Sequence, residues 1–237
     1  MRPERIALAL AAAAFPAVGH AQAIQCNVPA ELPQPRLEGP TRDQPRRLMP
    51  IGSYTLALIW SPEYCRGKQT SPRDRLQCSG TSGRFGFTLH GLWPDGRGEG
   101  WPQYCRPTRL VPEPVLRRNL CATPSVQLMQ HEWEKHGTCM AASPEAYFRA
   151  STRLYRALRF PDMVALSRRT GLTVGQFAGA FAGANPGLTA DMVKVTANKR
   201  RWLEEVWICL DTRLRPRRCP SNAGGAVRGS RLRIEAP

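Results

Sequence analysis

Tyr54-Thr-Leu-Ala-Leu-Ile-Trp60 is a run of β-branched, aromatic and aliphatic residues without a charge, and it stops at Ser61-Pro62. That composition suits a buried strand, and the proline ends it. Working outward, Phe85-Gly-Phe-Thr-Leu89 reads as a second strand running straight into His90. His90 is thus expected at a strand end, where a side chain can be aimed into a cleft. Residues 193–197 and 202–210 read as two more strands, separated by the basic turn Lys199-Arg200-Arg201, and 231–234 carries a weak strand signal. Helices are expected between them. One covers 125–136, introduced by Thr123-Pro124 as cap-like residue and helix-starting proline and stopped by Gly137. Another covers 144–158, with Ser143 as its cap and Glu145 favouring the dipole of its first turn, and a third covers 174–181. The glycine- and proline-rich stretch 91–114 reads as loop, clamped by Cys105. Strands and helices do not alternate regularly, which predicts an α+β fold: an antiparallel β-sheet core with several packed α-helices, not a doubly wound sheet.

The N-terminus has the order of an export signal: Arg2 and Arg5, an apolar run over 6–14, then Ala21-Gln22-Ala23 with small residues where a signal peptidase reads. The alternative, an apolar helix of the folded domain, fits that order less well. Residues 1–23 are therefore expected to be a signal peptide and 24–237 a single domain, its first part, 24–50, irregular, rich in proline and charge, and free of chemistry. Removing 23 of the 237 residues leaves 214, enough for one sizeable core. No later stretch approaches ~20 consecutive apolar residues, so no membrane span is expected and the protein is predicted to be exported, periplasmic or secreted. All eight cysteines (Cys26, Cys65, Cys78, Cys105, Cys121, Cys139, Cys209, Cys219) follow the signal. An even number in an exported chain reads as a disulfide set stapling the domain. A zinc site would want closer pairs, whereas Cys65 with Cys78 and Cys209 with Cys219 suit locally closed loops. Loss of Arg2, Glu4 and Arg5 lowers the formal charge from +16 to +15, which suits a polyanionic partner, nucleic acid first and an anionic surface second. Nearly all the cations are arginine, a usage that high genomic GC content produces alone, so charge by itself does not identify RNA.

Four histidines exist, and one, His20, falls within the signal. The rest, His90, His131 and His136, lie in two short segments, and histidine is the side chain best able to give and take protons near neutral pH. On a helix carrying His131-Glu132-Trp133-Glu134-Lys135-His136, at about 100° per residue, His131 lies above Lys135 and Glu132 above His136. These four span an arc of about 140° and can line one wall of a cleft, with Trp133 turned inward as packing. The zinc-protease pattern needs histidines at i and i+4; here they stand at i and i+5 with Lys135 interposed, which disfavours a metal.

Phe87-Thr-Leu-His-Gly-Leu-Trp-Pro94 and His131-Glu-Trp-Glu-Lys-His-Gly-Thr-Cys139 resemble the two active-site segments of the T-two (acid) ribonuclease family, which includes the plant S-ribonucleases. Weaker likeness covers Trp60-Ser-Pro-Glu-Tyr-Cys65 and Trp207-Ile-Cys-Leu-Asp211, so the resemblance spans most of the mature chain. It implies an endoribonuclease of broad base tolerance acting on single-stranded RNA, without cofactor or metal, by transesterification to 2′,3′-cyclic phosphate ends. His136 would be the general base and His90 the general acid. Lys135 and Glu132 would bracket the phosphorane, and His131 would hold the phosphate. Glu132, one turn from His136, is also expected to raise that histidine's basicity. Trp93, Asp95 and Trp101 resemble the primary base site, where aromatic faces stack on a base and a carboxylate accepts from an exocyclic amine. Tryptophan at 101 departs from the tyrosine common there. The other reading of Trp93 and Trp101 is core packing. The resemblance also suggests the pairs Cys105–Cys139 and Cys209–Cys219, leaving Cys65 with Cys78 and Cys26 with Cys121 by elimination. RNA is the expected partner and the monomer the expected form. The alternative is a basic RNA-binding or toxin-like protein that keeps the fold without turnover, which would not need the His90, Glu132, Lys135 and His136 set.

Overall fold

The computed structural model describes residues 23–237, so the expected signal peptide lies outside the described residues except for Ala23. Strand β1 (Ala23–Cys26) pairs antiparallel with β3 (Gly83–Phe85) in a two-stranded sheet. The main sheet is antiparallel throughout: β2 (Ile51–Trp60), β4 (Phe87–Gly96), β5 (Val193–Ala197) and β6 (Leu203–Leu210), in the order β4-β2-β6-β5. Short helical turns α1 (Ser61–Tyr64) and α2 (Arg75–Cys78) follow β2. Then come α3 (Glu113–Asn119), α4 (Val126–Glu132), α5 (Thr138–Met140), α6 (Pro144–Ala157), α7 (Met163–Ser167) and α8 (Val174–Gly183). This is the expected α+β class. Ser143 caps α6 as expected, accepting from Ala146 N–H, and Thr173 and Gln176 form a capping box on α8. One face of the sheet buries Leu56, Leu58, Trp60, Phe87, Leu89, Val206 and Ile208 against Met129, Trp133, Tyr147, Phe177 and Phe181 from the helices.

Three expectations are corrected. The stretch 91–114 is loop only over 97–112, where Cys105–Cys139 clamps it as expected; before that, β4 runs on to Gly96. Gly91 and Pro94 read as breakers in the sequence, but β4 is an edge strand, where proline is tolerated. The Leu92 N–H and carbonyl meet the Tyr147 hydroxyl on the open edge. Two residues on, Pro94 lacks only an N–H that would also point outward, so the ladder loses nothing. Farther along, Pro114 begins α3 instead of closing a loop. Finally, the cap of α4 is Ser125, which accepts from Leu128 N–H, while the Thr123 hydroxyl donates to the Leu89 carbonyl on β4. The helix does not end at Gly137. It passes through a π-helical turn, Trp133–Gly137, into α5, and a side chain at 137 would lie 2.4 Å from the Trp133 ring.

All eight cysteines are paired: Cys26–Cys121, Cys65–Cys78, Cys105–Cys139 and Cys209–Cys219.

Candidate active site

β4 positions the first half of the site through a β-bulge. Leu58 pairs with Leu89 and Ala57 with Gly91, which leaves His90 without a partner of its own. Side chains alternate along a strand, so residues three apart would face opposite sides; the extra residue lets His90 and Trp93 share the cleft face. His90 is therefore mid-strand, not at a strand end. Their rings meet edge to face at 4.9 Å.

The helix segment carrying the second half lies along the open edge of β4. Glu132 is fully buried there, its Oε2 accepting from Trp93 Nε1 at 2.8 Å and from the Tyr147 hydroxyl at 3.3 Å. Gly91 makes room for it: a Cβ at 91 would fall 1.8 Å from Glu132 Oε2. Glu132 faces His90, with 3.6 Å between Oε1 and Nε2. It does not face His136 as the sequence suggested. His136 is 6% exposed, its ring 5.7 Å from that of Trp93, and its Nδ1 is buried without a hydrogen-bond partner among the described residues. The π-helical turn carries Lys135 and His136 round less per residue than an α-helix would, and such turns recur at functional sites.

The two histidines are driven apart electrostatically. Burial, then the charges of Lys135, His131 and His90, holds His136 well below the ordinary imidazole range. Burial acts on His90 in the same sense, but the hydrogen bond to Glu205 and the charges of Glu132 and Glu205 outweigh it and raise His90 above that range. His90 Nδ1–H donates to Glu205 Oε1 at 2.6 Å, and the other oxygen of Glu205 accepts from Trp207 Nε1 at 2.7 Å. Burial draws the Lys135 ammonium below its ordinary value, against the pull of Glu132 and Glu38.

A cleft of about 620 Å³ brings together the residues picked from sequence: His90, Trp93, Asp95, Trp101, His131, Glu132, Lys135 and His136 all line it. Asp95 is held by Ser53 and Thr55 of β2, whose hydroxyls donate to it, and burial raises it above the usual carboxylate range. Trp101 is 46% exposed, with Arg47 over its ring and its Nε1 on Gln103. Trp93 is enclosed by His90, His136 and Trp207, and so is both packing and cleft wall. A second groove, about 870 Å³, continues past His90, His131 and Trp207 toward Arg66, Lys68 and Arg200.

Sequence reasoning missed Glu205, Trp207 and Glu38. The first two had a signal: within the expected strand 202–210 they stand two apart, on the face opposite Val206 and Ile208. Glu38 had none. It lies in the irregular segment expected to carry no chemistry, yet its carboxylate accepts from His131 Nδ1–H. Buried Glu134 fixes it there by accepting from the backbone N–H groups of Glu38 and Gly39 at 3.0 and 2.9 Å. Among the described residues no three His, Cys, Asp or Glu side chains are grouped as metal ligands, and no helix is long and apolar enough to cross a membrane.

A family model described as Ribonuclease T2 family matches residues 51–219. A ribonuclease of Aeromonas hydrophila is 36% identical over 161 residues, covering 67% of this chain and 71% of that protein. Ribonuclease I of Escherichia coli is 27% identical over 198 residues, covering 66% and 74%. Among solved structures, trichomaglin, described as a novel S-like ribonuclease, matches with a TM-score of 0.62 at 19% identity, covering 76% of this chain and 96% of that one. RNase NT in complex with 5′-AMP matches with a TM-score of 0.57 at 23% identity, covering 78% and 98%.

Proposed function

This chain belongs to the Ribonuclease T2 family and is an endoribonuclease, and we propose that it cleaves single-stranded RNA by transesterification with His136 as general base and His90 as general acid. The 2′-hydroxyl proton passes to His136, and the 2′-oxygen bonds to phosphorus. The bond from phosphorus to O5′ breaks as His90 delivers its proton to that oxygen. The products are a 2′,3′-cyclic phosphate and a free 5′-hydroxyl, so DNA, without the 2′-hydroxyl, is inert. The observation that carries this reading is the opposed environment of the two histidines in one cleft: burial and neighbouring cations favour the neutral, proton-accepting form of His136, while Glu205 and Glu132 favour the charged, proton-donating form of His90. Lys135 and Glu132 flank the phosphorane, His131 holds the phosphate, and Glu132 and Glu205 also maintain the charge on His90. Trp93, Asp95 and Trp101 receive the base, with broad tolerance.

The reaction calls for no cofactor, and we place the enzyme outside the reducing cytosol, as a monomer exported by a leader at 1–23 ahead of a single domain over 24–237. Four disulfides among the described residues favour an oxidising compartment.

The test is cleavage of a DNA strand carrying one ribonucleotide, in excess EDTA, with product ends identified by mass. Wild type is expected to yield the cyclic phosphate, and His90→Ala and His136→Ala each to lose about 10²–10⁴-fold in rate. Undiminished turnover by either variant, or ends bearing a 5′-phosphate, would overturn the assignment.

A further inference from the structure

The basic turn and the C-terminal strip 231–234, which makes only the isolated bridges Thr173–Arg231 and Trp202–Arg233 and not the strand its sequence suggested, come together in space, unused by the catalytic cleft. Leu232 and Ile234 are buried, while Arg231 and Arg233, which alternate with them, point outward. The Leu232 N–H donates to the Leu172 carbonyl at 2.8 Å and the Arg233 N–H to the Arg201 carbonyl at 2.7 Å, which pins this strip between the residues ahead of α8 and the start of β6. The result is a groove of about 450 Å³ lined by Arg168, Arg169, Arg201, Arg231 and Arg233, with no carboxylate in its walls. All five arginines are exposed, and none is ion-paired among the described residues.

The groove shares a wall with the catalytic side of the molecule. Trp202 lies under two guanidiniums, Arg66 at 4.3 Å and Arg233 at 4.0 Å. Arg66 lines the groove that continues from His90 and His131; Arg233 lines the five-arginine groove. Consecutive residues of the turn divide the same way, Arg200 facing the first groove and Arg201, held at φ 68°, the second. The two grooves thus meet at the stack on Trp202, although the first is of mixed charge: Glu63, Asp74, Glu204 and Glu205 line it beside Arg66, Lys68 and Arg200, and Arg66 is ion-paired with Glu63 and Glu235.

We propose that this groove is a phosphate-binding exosite for the single-stranded RNA substrate, engaging backbone phosphates several nucleotides from the scissile bond. Five like charges in one concavity repel each other and attract a polyanion. Its position next to the groove that leads from His90 and His131 favours the substrate strand over an anionic membrane. So does the absence of exposed large apolar side chains from the groove, since interfacial binding uses these beside its cations. The inference rests on the proposed reading that the substrate strand lies in the catalytic cleft.

The test uses the triple variant Arg168→Gln/Arg169→Gln/Arg231→Gln, which leaves the stack on Trp202 intact. It compares kcat/KM on a ribodinucleotide and on a 20-nucleotide DNA strand carrying one ribonucleotide, and measures the Kd of an all-DNA 20-mer by fluorescence anisotropy. The dinucleotide is expected to turn over within twofold of wild type. The 20-mer should lose about five- to tenfold in kcat/KM and in affinity, and its salt slope should flatten by about 0.7 for each phosphate contact removed. Unchanged 20-mer binding and cleavage overturns the exosite, as does an equal loss on the dinucleotide. Loss confined to binding of vesicles containing phosphatidylglycerol overturns it in favour of a membrane surface. The all-DNA strand separates this inference from the reaction chemistry: arginine-dependent binding without any cleavage by wild type would sustain the groove and remove the mechanism.

Discussion

At His90 the proton is governed by a carboxylate 115 residues away in the chain, Glu205, which also accepts from Trp207. The sign of its effect is fixed. An anion hydrogen-bonded to imidazolium stabilises the protonated acid, so His90 stays competent to donate up to a pH above the ordinary imidazole value, while His136, held low, stays competent to accept down to a pH below it. The pH profile of kcat/KM is expected to be a broad bell, its alkaline limb set by His90 and its acid limb by His136. Glu205→Gln is expected to move the alkaline limb to lower pH and leave the acid limb in place, read from kcat/KM on a dinucleotide between pH 4 and 9. An unmoved alkaline limb would show that Glu205 does not tune the acid. His90, Glu132, Lys135 and His136 were legible because each lies within a short local motif. Glu205 was not, because a lone carboxylate in a strand gains its meaning only from what the sheet sets beside it.

The elements that carry the site depart from regular geometry where the chemistry sits. The bulge in β4 turns His90 and Trp93 to one face, and the π-helical turn opposite delivers Lys135 and His136. Neither irregularity has a period that a sequence displays, so the strand was read as ending at His90 and the helix as ending at Gly137. Glycines that looked like breakers are points of close approach instead: Gly91 under the Glu132 carboxylate, Gly137 against Trp133. Gly91→Ala tests the bulge directly. The added methyl would force Glu132 away from Trp93 Nε1 and His90, and a displacement of about 1 Å is expected to lower kcat roughly a hundredfold. The far-ultraviolet circular dichroism should stay native, because Glu132 can shift without unpacking the sheet. Full activity with native spectra would mean that the carboxylate position does not matter.

For the whole molecule, the disulfides differ in what they constrain. Cys26–Cys121 closes a separation of 95 residues and ties β1 to the segment between α3 and α4, whereas Cys209–Cys219 closes only 10. On loop-closure entropy the long one is worth about 4.7 kcal/mol and the short one about 2.7. Replacing Cys26 and Cys121 by alanine is expected to cost about 2 kcal/mol more in urea unfolding than replacing Cys209 and Cys219, and the reverse order would show that native contacts, not chain closure, decide. By itself the sequence determined the fold class, the helices and strands with regular periods, and the set of candidate acid–base residues that the fold gathers in one cleft, because hydrophobic pattern and short motifs are local properties of the chain. Tertiary structure alone decided that Glu205 serves His90, that Glu132 faces His90 and not His136, that Glu38 reaches His131 from an irregular segment, and that two distant arginine clusters form one surface. Each of these is a contact between residues far apart in sequence, set by sheet register, a bulge and a π-helical turn.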